Sequence, residues 1–404
     1  MASPPRMIFT TYWFLFFALA AVVGFHALPR PTWRLWWLAV ACACFHIHFA
    51  GPAGVLPIIV LMILTYFAGR SRNRAVCLAA MGICVAALCF YKYTLFLTGA
   101  VIEPMSASLA SAMTKAAGAV MPGAPPLGIS FFTFEFVHYL FEVRRGGEPI
   151  RSPVKFLLFS IFFPSLVAGP IKRYPQFLPS LESATAAPAS GTDVAAGLLR
   201  IATGFGKKVL IADQLTLYID RWQPHFADET LGGRWVILAA ISFRILMDFS
   251  GYSDIAIGCA QTLGIRLPEN FNWPYLAQNL QDFWRRWHMS LTSWIRDYIY
   301  IPMGGSRSGP ARQVMGGVAA FAICGLWHGP AWHFVLWGLY HGFGLGVCTT
   351  YAKLPWVGPA AAAIFRKEPL TGRALTLLYA SLGWLLFFYP PDEAWRMAQQ
   401  LFGQ

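Results

Sequence analysis

The residues whose types and spacing could do chemistry fall in two short windows. The first is 281–307, Gln-Asp-Phe-Trp-Arg-Arg-Trp-His-Met-Ser-Leu-Thr-Ser-Trp-Ile-Arg-Asp-Tyr-Ile-Tyr-Ile-Pro-Met-Gly-Gly-Ser-Arg. Arg285, Arg286, His288, Arg296 and Asp297 lie there among Trp284, Trp287, Trp294, Tyr298 and Tyr300. At about 100° per residue, Phe283, Trp284, Trp287, Leu291, Trp294 and Ile295 form one apolar stripe of a helix. His288 falls at the edge of that stripe, with Arg285, Arg286 and Arg296 beside or behind it. Two readings fit. One is an interfacial amphipathic helix with its arginines at lipid headgroups. The other is a set of ionisable groups held at membrane depth for a function.

The second window is Gly325-Leu326-Trp327-His328-Gly329-Pro330-Ala331-Trp332-His333, followed by Trp337-Gly338-Leu339-Tyr340-His341-Gly342. Three histidines so close invite a zinc hypothesis, but the spacing opposes it. On a helix His328 and His333 would point about 140° apart, and Pro330 interrupts between them. His333 and His341 are more than two turns apart, and no close carboxylate or thiolate supplies a further ligand. No metal is therefore expected. A single histidine with a Gly-Pro break behind it suits acid/base work, because its pKa can be tuned near neutrality and the break exposes backbone polar groups. The competing reading is a histidine hydrogen-bonded between helices.

No nucleophile motif accompanies these windows: there is no GxSxG, no cysteine beside a histidine, no P-loop and no dinucleotide fingerprint. Chemistry here needs a donor that is already activated. Transfer from a thioester fits, since it requires a general base and a polarised carbonyl but neither metal nor redox group.

The elements that must position these windows are apolar helices. Of 404 residues, 57% are hydrophobic and 12% charged, against roughly 25% charged in a soluble domain. Repeated apolar runs long enough to span a bilayer make this a polytopic helical membrane protein. The net charge of +13 sits largely in short loops, where the positive-inside pattern and anionic lipid headgroups account for it; no nucleic-acid module is visible. All eight cysteines lie in apolar stretches, outside any CxxC, and read as small hydrophobes.

Spans are expected near 8–28, 33–50, 52–69 and 75–98, the first following Arg6 directly and read as a span, not a removed signal peptide. Arg30 and Arg34 in the first loop and 69–74 in the third place those loops in the cytoplasm. Residues 99–125 read as an external loop or interfacial segment. A segment carrying Glu135, His138 and Glu142 follows, ending in the basic stretch 144–155. Residues 163–173, rich in Pro and Gly, read as a broken or re-entrant element, and 180–193 as a surface linker. Further segments cover 194–218, 234–265, 313–331, 332–351 and 372–389, with no internal repeat. Arg244 and Asp248, one turn apart, are expected to pair with each other, and Asp254 to cap a new helix after Gly251.

The blocks 126–134, 163–173, 251–258, 268–277, 282–307, 325–329 and 337–342, in this order, resemble the membrane-bound O-acyltransferase (MBOAT) family, in particular its bacterial polysaccharide-modifying, alginate O-acetylation branch. They cover 125–345; the first 120 residues match only in hydropathy. The resemblance implies an all-α bundle of about ten or eleven transmembrane helices around a funnel or tunnel. It implies one integral membrane domain, with N-terminal spans over 1–120, a core over 125–345 and a C-terminal span and tail over 346–404.

By resemblance, His328 is the catalytic histidine and His288 a second functional polar position. Acetyl-CoA is the implied donor, with no bound cofactor. Arg285, Arg286, Arg296 and Arg307 would form a basic mouth for its phosphates. Arg244, Asp248, Asp254, Trp287, Ser290 and Trp327 would line the tunnel or support it. The implied acceptor is an exported polysaccharide, reached directly or through a periplasmic esterase-like acyltransferase partner, from a bacterial cytoplasmic membrane whose lipid is the remaining partner. Alginate-type members run on beyond the equivalent of Phe402 while this sequence stops at Gln404, so their glycan specificity does not carry over. The alternatives are D-alanyl transfer to teichoic acid from a carrier protein, and a transporter with no chemistry of its own.

Overall fold

The computed structural model describes residues 8–119, 121, 125–166, 169–307 and 309–404, all helix, turn or extended loop without strands. Arg6 and, within the 163–173 block, Val167 and Ala168 lie outside the described residues. Two compact units result, Met1–Phe205 with Tyr252–Pro268, and Gly206–Gly251 with Glu269–Gln404.

In the first unit, a short turn at Ile8–Thr10 leads into α1 (Tyr12–Ala27), whose N-cap Thr11 accepts a hydrogen bond from the Phe14 amide. Next comes α2 (Pro31–Ser71), interrupted only at Gly51 (φ 64°, ψ 170°). The expected spans 33–50 and 52–69 thus meet at one glycine, because only glycine takes that backbone without a Cβ clash. Arg34 is no loose loop charge: its guanidinium donates to the carbonyls of Leu28 (2.8 Å) and Thr185 (3.0 Å). Asn73 caps α3 (Arg74–Leu97), which runs into a π-turn at Thr98–Ile102. A helix, α4 (Ala107–Gly118), occupies much of the stretch read as loop or interface.

Helix α5 (Ile129–Arg144) carries Glu135 and His138 into the core. α6 (Pro153–Ile161) then breaks into the turn Phe163–Ser165, the interruption foreseen for this block. α7 (Tyr174–Ala186) extends into the supposed linker, which shrinks to the few residues before α8 (Gly191–Phe205). The core is aromatic: Phe45 packs on Phe14, Phe17 and Phe163, and Tyr139 on Phe156 and Tyr174.

The second unit opens with a π-turn at Gly206–Ala212 and α9 (Asp213–Trp222). Helix α10 (Leu231–Thr262) follows, its last residues belonging to the first unit. It runs unbroken through Gly251, so Asp254 is mid-helix and caps nothing. Instead Asp254 accepts from Arg200 Nε at 3.1 Å within the first unit. Then come α11 (Leu280–Arg286), α12 (Met289–Ile295), a π-turn at Arg296–Tyr300, a turn at Gly305–Arg307 and α13 (Pro310–His328). α14 (Trp332–Tyr351), α15 (Val357–Lys367), α16 (Pro369–Phe388) and α17 (Pro391–Leu401) complete the chain. α15 and α17 have no counterpart among the expected segments. Both are too short to register as hydrophobic runs, and α17 is held by bonds from Gln223 to Glu393 and from Arg234 to the Gln400 carbonyl.

By length and composition, α2, Arg74–Ile102, α10 and α16 can cross a membrane among the described residues; α1 and Pro153–Ser165 are shorter apolar segments.

Helices α13 and α14 form a hairpin whose backbones nearly touch. A Cβ on Gly325 would lie 2.1 Å from the Phe334 carbonyl oxygen, and one on Gly338 2.2 Å from that of Phe321. Gly325→Ala must push the helices apart, at about 1–3 kcal/mol for overpacking. A lowered melting temperature in detergent is the expected result, and an unchanged one would contradict the close approach.

Candidate functional site

Helix α13 ends at His328 because Gly329 turns extended (φ −169°) and Pro330 cannot continue a helix. The His328 ring, partly exposed, sits in an aromatic box. Trp327 lies 4.8 Å from it between centroids, and Trp337 and Phe387 each 5.1 Å, all nearly edge-on; Phe334 stacks at 6.4 Å. Trp327 also faces His288, at 6.2 Å. One indole therefore neighbours two imidazoles on different elements.

His288 is where the expected continuous helix over 281–307 fails. It adopts left-handed backbone (φ 41°, ψ 54°) between α11 and α12, a conformation disfavoured for a residue with a Cβ. The conformation is held from outside. Asn270 accepts the Met289 amide on its carbonyl (2.9 Å), and its side-chain oxygen accepts the Ser290 amide (3.3 Å) and hydroxyl (2.8 Å). The Asn272 amide donates to the Arg286 carbonyl. These bonds replace those a helix would have made. The His288 ring is 1% exposed and packs edge-on to Phe249 at 4.6 Å, and its Nε2 has no hydrogen-bond partner. Asn270 was absent from the sequence-derived site; its only signal was its place in the Pro-Glu-Asn block. The apolar stripe nevertheless survives as burial, with Phe283, Trp284, Trp287, Leu291, Trp294 and Ile295 all in the core.

The four arginines assigned to one basic mouth separate. Arg285 and Arg296 line a cavity of about 420 Å³ with Gln281, Trp284, Gln313 and Thr349. Arg286 turns aside, donating to Asp282 (2.8 Å) and the Asn272 carbonyl (3.3 Å). Arg307 is exposed on its turn and is not part of the cavity wall.

Arg244 and Asp248 do not pair with each other. Asp248 lies 2.8 Å from Lys208, which also donates to Asp213 at 2.5 Å, while the Arg244 guanidinium stacks over Phe388 at 4.4 Å. The π-turn that presents Lys208 to both carboxylates was not legible; the Lys207-Lys208 pair inside an apolar run was its only trace. Trp287 packs between Phe283 and Trp384, at 5.6 and 4.8 Å.

The other two histidines stand elsewhere. His333 Nδ1 lies 3.1 Å from the Leu386 carbonyl, and His341 is fully buried, edge-on to Trp284 at 5.0 Å. No three His, Cys, Asp or Glu side chains gather in a metal-holding group among the described residues. In the first unit, Lys172 and Glu135 form a buried ion pair at 2.5 Å, and His138 Nε2 accepts the Tyr174 amide.

An all-helical chain with several bilayer-length apolar helices is a membrane-embedded architecture. Residues 150–386 match the family model of MBOAT, the membrane-bound O-acyltransferase family, and the chain belongs to that family of multi-pass membrane proteins. It is 38% identical over 283 residues to a probable alginate O-acetylase AlgI of Azotobacter vinelandii, covering 69% of this chain and 54% of that protein. A peptidoglycan O-acetyltransferase of Helicobacter pylori is 31% identical over 287 residues, 65% of this chain and 54% of that one. A teichoic acid D-alanyltransferase of Bacillus subtilis is 33% identical over 223 residues, 53% and 56% respectively. The chain spans about half the length of the curated relatives it matches.

Proposed function

We propose that this protein is an O-acetyltransferase of a bacterial cytoplasmic membrane. In this reading it moves an acetyl group from cytoplasmic acetyl-CoA to an exported polysaccharide, directly or by way of a periplasmic esterase-like partner. The observation that carries it is that His288 and His328 both lie against the Trp327 ring: one imidazole partly open, the other buried with a free ring nitrogen. His328 takes the proton of the acceptor hydroxyl as its oxygen attacks the thioester carbonyl. The new C–O bond forms, the C–S bond breaks, and the proton passes from His328 to the departing thiolate. His288 orients the acceptor or donates to the carbonyl oxygen on which charge develops. Similarity to an alginate O-acetylase and a peptidoglycan O-acetyltransferase supports acetyl as the group and a polysaccharide as the acceptor class.

The test is purified protein in nanodiscs with radiolabelled acetyl-CoA, following coenzyme A release and label on added glycan. Turnover is the expected result. Turnover only from a carrier-protein thioester would replace the donor and favour D-alanyl transfer; binding of an acylated sugar without any bond broken would favour transport.

The cavity gives the donor site a sharper form. Arg285 and Arg296 line it and Arg286 does not, so Arg285→Gln and Arg296→Gln should each raise the KM for acetyl-CoA about tenfold, the loss of one charge-assisted hydrogen bond. Arg286→Gln should leave KM within about twofold. Equal effects at all three positions in steady-state kinetics would remove the cavity from the donor site.

A further inference from the structure

The first unit contains a second cavity, of about 220 Å³, that the acetyl-transfer reading leaves unused. Its polar lining is Lys172, Arg173, Gln176, Ser180 and Arg266, with no carboxylate among the lining residues. Two of the sequence blocks singled out above, 163–173 and 268–277, end and begin at it. We propose that this pocket binds a phosphate group, offered by a soluble phosphate compound or by a lipid headgroup.

The pocket is built rather than incidental. The Lys172 side chain is 2% exposed, fixed by Glu135 at 2.5 Å and lying over the Phe159 and Phe177 rings. Arg173 precedes α7, whose next residues present Gln176 and Ser180 to the same space. The Arg266 amide donates to the Ser180 hydroxyl oxygen at 2.8 Å, which fixes the far wall and leaves the hydroxyl proton available. The Arg266 guanidinium, exposed, makes no hydrogen bond or ion pair among the described residues. Glu135 neutralises Lys172, and Arg266 at the rim is a cation with no anion beside it among the described residues. The Arg266 guanidinium, the Gln176 amide and the Ser180 hydroxyl beside the buried Lys172, with no carboxylate in the lining, suit the oxygens of a phosphate.

The helix that forms one wall of the pocket, α7, also packs beside the basic stretches of the sequence. Arg34 in the first turn of α2 donates to the Thr185 carbonyl, Lys155 of α6 pairs with Glu182 at 2.5 Å, and Tyr174 abuts Gly147. Positive-inside logic assigns the chain around Arg34 to the cytoplasm, where anionic headgroups and soluble phosphate compounds are both present.

Binding, not turnover, is the readout, so the proposal stands or falls separately from the acetyl-transfer reading. The full chain in phosphatidylcholine nanodiscs is titrated calorimetrically with inorganic pyrophosphate. In a second arm, retention of phosphatidylglycerol is measured after purification from mixed micelles. Arg266→Gln should weaken one of these interactions about tenfold or more, and Arg266→Lys should restore part of it. Loss in the titration identifies a soluble phosphate as the source, and loss of phosphatidylglycerol alone identifies a lipid headgroup. If Arg266→Gln and Gln176→Leu, both with wild-type melting behaviour, bind pyrophosphate and retain phosphatidylglycerol as the wild type does, the site does not exist.

Discussion

Replacing His328 with alanine should lower acetyl transfer by about 10²–10⁴-fold while leaving the protein at its normal level in the membrane, the range over which a positioned general base contributes. The ring ends a helix whose termination depends on Gly329 and Pro330, not on the imidazole, so the backbone has no reason to move. Its neighbours are the Trp327, Trp337, Phe334 and Phe387 rings, which can close over the small void left behind. Donor binding should persist, because Arg285 and Arg296 line a cavity whose wall does not include His328. The predicted pattern is therefore a fall in kcat with little change in KM for acetyl-CoA, which marks an interaction made in the transition state. Single-turnover assays on wild type and variant at equal protein check it. Unchanged turnover would remove His328 from the chemistry and leave it a packing residue.

The largest effect on stability should come from Lys172→Met. It removes the partner of a carboxylate that has no access to water: the two side chains are 2% and 6% exposed and meet at 2.5 Å. Breaking a buried pair from one side is worth about 3–5 kcal/mol of destabilisation, because the remaining charge is left uncompensated. The Phe159 and Phe177 rings under the ammonium offer Glu135 nothing in return. Combining Glu135→Leu with Lys172→Met replaces the pair by apolar contacts and should recover most of the loss, since the desolvation cost of both charges disappears together. Thermal melts of the single and double variants in one detergent, read as a double-mutant cycle, measure the coupling. A double variant no more stable than Lys172→Met would show that the pair does more than neutralise itself.

These two positions were unequally legible. His328 stood out because its surroundings are local: a histidine, a glycine and a proline in succession state both the residue and the end of the helix that presents it. Lys172 and Glu135 each appeared in a segment of interest, yet they lie 37 residues apart and nothing in either segment names the other. The same holds for Asp254, whose partner Arg200 is 54 residues away, and for Asp248, which reaches Lys208 instead of Arg244 one turn behind it. Helical spacing makes Arg244 and Asp248 neighbours, but a cation on another element wins when it approaches more closely.

The sequence by itself determined the membrane setting, the approximate course of the long helices and the two windows that hold the histidines. Apolar run length, helical period and the effects of Gly and Pro act over a few residues, so they can be read in order along the chain. Only the tertiary structure decided where a helix yields to something better. The stripe at 281–307 has helical periodicity from end to end, yet it breaks at His288 because Asn270, twenty residues before Ser290, supplies the hydrogen bonds that the helix would otherwise make. That exchange sets His288 in a left-handed conformation beside Trp327. It also turns Arg286 toward Asp282, while Arg285 and Arg296 line the cavity. Hydrogen bonds and ion pairs between distant segments depend on where the backbone has already been brought, and that is a property of the folded chain alone.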